Sequence, residues 1–271
     1  MAEKIIKKVK SLPPLPESVT KVREICHDPE GSVADLVPII KQDPMFTADI
    51  LKAANSPLYG FSKEITTIDQ AVSLFGMGSI EGFAVSYAMR KSVPADLGMY
   101  GINQNRLTEI SEMQNALASS WGKMQVSEYK NELSTISMLM ELGKMVSAAI
   151  LKENGKTDEF KEAISSATTL RDIFVVEKKF LSVPSEQIVS LIFKFWKFNS
   201  VLIKITESIL NPQKADDNFK KQAMVLRVVK EAIPVTAPYS PNAIESAIKK
   251  AQEYNLDVNR LESTIEKLNN E

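Results

Sequence analysis

The stretch Ser11–Phe61 reads SLPPLPESVTKVREICHDPEGSVADLVPIIKQDPMFTADILKAANSPLYGF, and its punctuation decides the fold. Three short amphipathic segments are set apart by Leu12-Pro13-Pro14-Leu15-Pro16, Asp28-Pro29, Asp43-Pro44 and Ser56-Pro57. Inside a helix, proline removes a backbone donor and clashes one turn back, yet its fixed φ suits the first helical position. Asp43 is therefore expected to cap a helix that starts at Pro44, and Ser32 with Asp35 resembles a capping box. Within the segments, Val19, Val22 and Ile25, then Leu36, Val37, Ile39 and Ile40, then Phe46, Ile50, Leu51 and Ala54 recur at helical spacing. Pro38 falls inside the second segment, where a kink costing about 3 kcal/mol is expected.

Outward from this stretch the helical period persists. Only 10 glycines occur in 271 residues, and strict apolar/polar alternation is hard to find, so the chain reads as all-α and multi-helical. A short basic helix is expected near Glu3–Lys10. Thr67 and Gln70 form a second capping box, opening a helix that Gly76 closes, and Ser79 caps another that runs to about Lys91. The aperiodic segment Pro94–Asn105 marks a lobe boundary, giving an N-terminal helical lobe over residues 1–100 and a second helical lobe with C-terminal helices over 106–271. In the second lobe Ile110, Met113, Leu117, Trp121 and Met124 trace one face of a long helix. From Leu133 to Leu151 nearly every position is apolar or small, which predicts one enclosed helix ending at Asn154-Gly155. Further helices are expected near Asp158–Ser165, Leu170–Phe180, Ser185–Phe198 and Val201–Leu210, and another bearing Phe219, Ala223, Leu226 and Val229 ends at Pro234. Ser240-Pro241 opens another, and Asp257 caps the last, whose Val258, Leu261, Ile265 and Leu268 would pack on their own lobe or on a partner helix.

Composition narrows the function classes. Lys plus Arg (33) nearly balances Asp plus Glu (34), so no global field draws the chain to nucleic acid or an anionic membrane. The single cysteine, Cys26, forms no internal disulfide, and MAEKIIKKVK lacks the apolar stretch of a signal peptide. A cytoplasmic setting is the expectation. The longest apolar run is interrupted by Glu141 and Lys144, short of a spanning helix.

The order L-P-x-L-P (Leu12–Pro16), D-P (Asp28-Pro29), Q-D-P (Gln42-Asp43-Pro44) and A-N-S-x-x-Y-G (Ala54-Asn55-Ser56, Tyr59-Gly60) resembles the opening of an HDOD domain, with a likeness running from about residue 11 to about 230. That resemblance implies an N-terminal lobe packed on an HD-like lobe. It also implies a bacterial regulatory output module with no established reaction, related to HD-type metal phosphohydrolases. Such hydrolases need imidazole and carboxylate groups converging on metal ions. This chain has one histidine. Where HD-type relatives carry an L-L-H-D-I-G-K-like motif, the sequence reads Met138-Leu139-Met140-Glu141-Leu142-Gly143-Lys144, with Met140 at the His position and Glu141 at the Asp position. Further histidines implied near Gln114, at about Ser185 and at Ile209-Leu210 are also replaced. The expectation is a pocket that is filled or dry, with no catalytic, cofactor-binding or metal residue.

Other candidates have bland readings. Asp216-Asp217 suits a helix N-terminus better than a Mg²⁺ site. Cys26 and His27, adjacent on a helix, point about 100° apart and do not form a nucleophile–base pair. Gly76-Met77-Gly78 lacks the rest of a phosphate loop. Met138, Met140 and Met145 read as core filler. Asn55, Tyr59 and Gln42-Asp43 read as capping and turn residues. The functional expectation is a non-catalytic signalling module that binds a protein partner in an apolar groove between the lobes. The alternatives are a metal-dependent phosphohydrolase and a nucleotide sensor, the latter weakened by the scatter of Arg23, Arg90, Arg106, Arg171, Arg227 and Arg260.

Overall fold

The computed structural model describes residues 1–61 and 63–270, and among them every regular element is helical. The N-terminal elements are α1 (Ala2–Lys10), α2 (Glu17–His27), α3 (Val33–Ile40), α4 (Pro44–Ala54) and α5 (Ile68–Ser92). The remainder comprises α6 (Gln104–Leu117), α7 (Lys123–Gln125), α8 (Lys130–Leu139), α9 (Gly143–Glu153), α10 (Thr157–Ile164), α11 (Leu170–Leu181) and α12 (Ser185–Phe195). It closes with α13 (Ser200–Ser208), α14 (Asp217–Ala232), α15 (Pro241–Glu253) and α16 (Val258–Asn270).

The punctuation of the opening stretch acts as its chemistry dictates. Asp43 Oδ1 accepts from the backbone N–H groups of Met45 and Phe46 at 3.0 and 3.1 Å, with Pro44 at the first helical position. Asp35 reaches back to the Ser32 N–H at 2.9 Å. The kink expected at Pro38 is not a break: α3 runs through it and ends two residues later, so few helical bonds remain to be lost. Gly76 interrupts α5 at φ 72°, as its freedom from a Cβ permits, but the helix resumes at once. Ser79 is therefore buried inside the second half rather than capping it.

That second half is the spine of the molecule. α2, α3, α4 and α8 all pack on α5. The α8 crossing is close because a Cβ on Gly78 would lie 2.2 Å from the Asn131 carbonyl oxygen. Buried apolar side chains from Ile5 on α1 to Leu268 on α16 form one continuous core, and α1 itself packs on α9 and α12.

Two expectations in the second lobe are corrected. The long helix through Trp121 loosens into a π turn at Ala118–Gly122, and Met124 is exposed. The single helix predicted over Leu133–Leu151 is two, α8 and α9, parted at Met140–Leu142. The stretch 130–153 is apolar and long enough to cross a membrane, but 94% of its most apolar window is buried within the protein, as befits a core element. Leu261, Ile265 and Leu268 of α16 are buried against α6, the π turn and α15, so this helix packs on its own lobe.

Candidate functional site

The break between α8 and α9 places Glu141 in the centre of the second lobe. Five charged side chains, each at most 3% exposed, meet there: Glu141, Lys144, Glu177, Glu186 and Lys230. Lys144 lies one turn beyond Glu141, and its Nζ is 2.6 Å from Glu141 Oε2 and 3.7 Å from Glu177 Oε1. Lys230, from α14, brings Nζ to 2.5 Å from Glu141 Oε1 and 3.0 Å from Glu186 Oε1. Neutral groups complete the shell. Gln114 Nε2 donates to Glu141 Oε1 at 2.9 Å and to the Ile233 carbonyl at 3.0 Å. Lys144 Nζ donates to Ser185 Oγ at 3.0 Å, Lys230 Nζ to the Met140 carbonyl at 3.3 Å, and Tyr100 OH to Glu177 Oε1 at 2.9 Å. The Ser185 backbone N–H at the start of α12 donates to Glu177 Oε2 at 2.8 Å.

The electrostatics follow from burial and pairing. Burial alone would raise the Glu141 carboxyl, but the Lys144 and Lys230 ammonium groups hold it down to about 2. Burial opposes the charge on Lys144, and Glu141, Glu177 and Glu186 more than restore it, raising its pKa. Three carboxylates face two ammonium groups, and Glu177 is the acid pushed upward, by burial first and by Glu186 in addition. Glu186 is lowered because Lys230 and Lys144 outweigh its desolvation.

The positions at which HD-type relatives were expected to carry ligands divide between this cluster and the core. Gln114, Glu141 and Ser185 contribute side-chain atoms and Met140 its carbonyl, whereas Ile209 is buried apolar core. The pocket is filled, though not with hydrocarbon. It is filled with ions. A divalent cation needs lone pairs converging on one vacant point, and here the carboxylates converge on protonated amines. The residues therefore do not fit a metal, and no group of three or more His, Cys, Asp or Glu among the described residues is arranged to hold one.

Lys144, Glu177, Glu186, Lys230 and Tyr100 carried no role in the sequence reading, although a signal was present. Lys230 follows Leu226 and precedes Ile233 on a buried stripe, and Glu177 stands between Ile173 and Leu181 at helical spacing. A charge in an apolar stripe announces a buried partner.

The remaining candidates are structural. Asp216 Oδ1 caps α14 by accepting from the Asn218 N–H at 3.1 Å. Asn55 bridges the turn to Ile65, donating to its carbonyl at 2.8 Å and accepting from its N–H at 2.9 Å. Tyr59 OH donates to Asn115 Oδ1 across the lobes at 3.3 Å. Asp43 accepts from Tyr87 OH. Met138, Met140 and Met145 are core. Cys26 is half-buried, its thiol is pushed up by burial, and His27 turns away from it to Glu81, with Nε2 to Oε1 at 3.0 Å. Arg23 joins the same carboxylate at 3.3 Å, donates to the Trp196 and Lys197 carbonyls, and stacks over Phe198. This ties α2 to the second lobe. Beside the tie runs a groove of about 490 Å³ lined by Pro14, Leu15, Phe195 and Trp196.

Comparison with known proteins gives these features a family setting. The HDOD domain family model matches residues 12–212. A virulence factor from Campylobacter jejuni subsp. jejuni is 27% identical, with a TM-score of 0.60 over 99% of this chain and 95% of that one. A provisionally named phosphohydrolase from Shewanella amazonensis SB2B shares the fold at 20% identity and TM-score 0.65, over 98% and 93% of the two chains. An HDOD domain protein of unknown function from Geobacter sulfurreducens shares it at 12% identity and TM-score 0.56, over 99% of both. An uncharacterized protein of Treponema pallidum (strain Nichols) is 27% identical over 86 residues, which are 32% of this chain and only 17% of that relative's length.

Proposed function

This chain belongs to the HDOD family, and we propose that it is a regulatory module that acts by binding a protein partner rather than by catalysis. The observation that carries the reading is the pair of ammonium groups, Lys144 and Lys230, seated among the carboxylates where an HD-type hydrolase needs its metal. An ammonium group supplies positive charge, but it offers no open coordination position at which to lower the pKa of a bound water. With no metal-activated nucleophile, binding is the remaining way for this core to act.

The groove between α2 and the end of α12 is the surface we assign to the partner. Pro14, Leu15, Phe195 and Trp196 give it apolar surface, and Thr20, Arg23, Glu24, His27 and Lys197 line the rest. A concave apolar patch rimmed by charged groups at a lobe junction suits an extended segment inserting an apolar side chain. The test is affinity capture from the protein's own cells, with wild type and Leu15→Glu compared. One partner held by the wild type and released by Leu15→Glu, with the signalling output lost in the same variant, is the expected result. Equal capture and unchanged output would remove the assignment.

A further inference from the structure

A second set of incompletely paired charges lies away from the buried cluster, in a cleft of about 430 Å³ between α4 and α5 on one side and α6 on the other. On the first wall Arg90 gives Nη2 to Asp49 Oδ2 at 2.8 Å, while its Nε is buried without an acceptor. Lys52, one turn from Asp49, extends the same wall. On the opposite wall the half-buried carboxyl of Glu112 faces the cleft and takes part in no hydrogen bond among the described residues. Phe46 and Phe83 supply apolar lining.

The two walls ask for opposite charges. Arg90 and Lys52 present cations on one wall, and the Glu112 carboxyl, without a hydrogen-bond donor, lines the other. A lone carboxylate placed on Arg90 would face Glu112, and a lone ammonium placed on Glu112 would face Arg90. A small molecule carrying both groups satisfies both walls, and the volume suits a ligand of that size. We propose that this cleft binds a free α-amino acid as its zwitterion. The carboxylate sits on Lys52 and the Arg90 guanidinium where it lines the cleft, the ammonium on Glu112, and an apolar side chain lies against Phe46 and Phe83. This goes beyond the protein-binding role and does not depend on it, because the cleft is separate from the groove at Leu15.

Burial raises the Glu112 carboxyl to about 7, with Arg90 and Lys52 pulling it back and Glu109 and Asp49 adding repulsion. The charged and titratable groups around it are Asp49 and Lys52 from α4, Tyr59 from the turn after α4, Tyr87 and Arg90 from α5, and Glu109 on its own helix. Its ionised form is the one that pairs with an ammonium, so affinity should rise with pH through the neutral range.

The test is calorimetric titration of the full chain at pH 8 with each standard L-amino acid in turn. The best binder is then compared with its N-acetyl and carboxamide forms, which each lack one charge. The expected result is saturable binding of an apolar amino acid, weakened at least tenfold in both blocked forms and at least tenfold by Glu112→Gln. For the wild type, affinity should fall severalfold between pH 8 and pH 6, and Glu112→Gln should lack that fall. Lys52→Ala removes a cleft cation while leaving the Arg90–Asp49 pair intact, so it should weaken binding without unfolding the protein, as checked by its melting curve. No binding of any amino acid at millimolar concentration would overturn the proposal, as would blocked forms that bind as well as the free amino acid.

Discussion

Lys230 stands on the buried face of α14, its neighbours on the stripe being Leu226 and Ile233, and donates to the Met140 carbonyl besides pairing with Glu141 and Glu186. Deleting one partner of such a group leaves the others charged and desolvated. Lys230→Met should therefore destabilise the fold by about 3–5 kcal/mol in chemical denaturation, far more than the exposed Lys249→Met, whose pair with Glu245 lies in water. Acid should find the same weakness. Because the folded-state pKa of Glu141 is depressed, its contribution is complete above the unfolded value of about 4.3 and is lost as pH falls toward about 2. Denaturation midpoints should drop through that window, and Glu141→Gln should blunt the drop. At this scale the sequence was half legible. The missing imidazoles could be counted, but what replaced them depended on residues as distant as Gln114 and Lys230, which only the packing of α6 on α14 brings together.

Among the elements, the most legible were those written in local chemistry. Asp43-Pro44, Thr67 with Gln70 and Ser240-Pro241 each cap a helix where their side chains have backbone donors to satisfy. The break between α8 and α9 was not legible, since Met138–Lys144 has no residue that forbids helix. It is set by tertiary demands, in that Gly143 lets the Ser185 carbonyl approach to within 2.0 Å of where a Cβ would stand. The α5–α8 crossing rests on the same device at Gly78, and Gly78→Ala should cost about 1–3 kcal/mol or more, read as a lower denaturation midpoint, because the obstructing atom is backbone. The tie from α2 adds a pH dependence. The Glu81 hydrogen bond raises the His27 pKa, against burial, so its stabilisation is full below about 6.5 and fades as pH rises through the folded value. Glu112, also raised, makes stability fall between about 4.5 and about 7. Urea midpoints should thus decline from pH 5 to pH 8.5, with His27→Gln trimming the upper part of the decline and Glu112→Gln the lower.

For the molecule as a whole, one core running from Ile5 to Leu268 joins the lobes, with α1 packed on the second lobe and Tyr59, Arg23 and Glu81 bridging the junction. The chain thus keeps the HDOD helical frame, and the centre of its second lobe is closed by internal salt bridges. That closure is the basis for reading the protein as a binder. The most direct test is the metal content of protein purified without chelators and dialysed against metal-free buffer, measured by plasma mass spectrometry. Iron, manganese and other divalent metals far below one equivalent per chain are predicted. A full equivalent or more retained through dialysis, and lost in Glu141→Ala, would contradict the account.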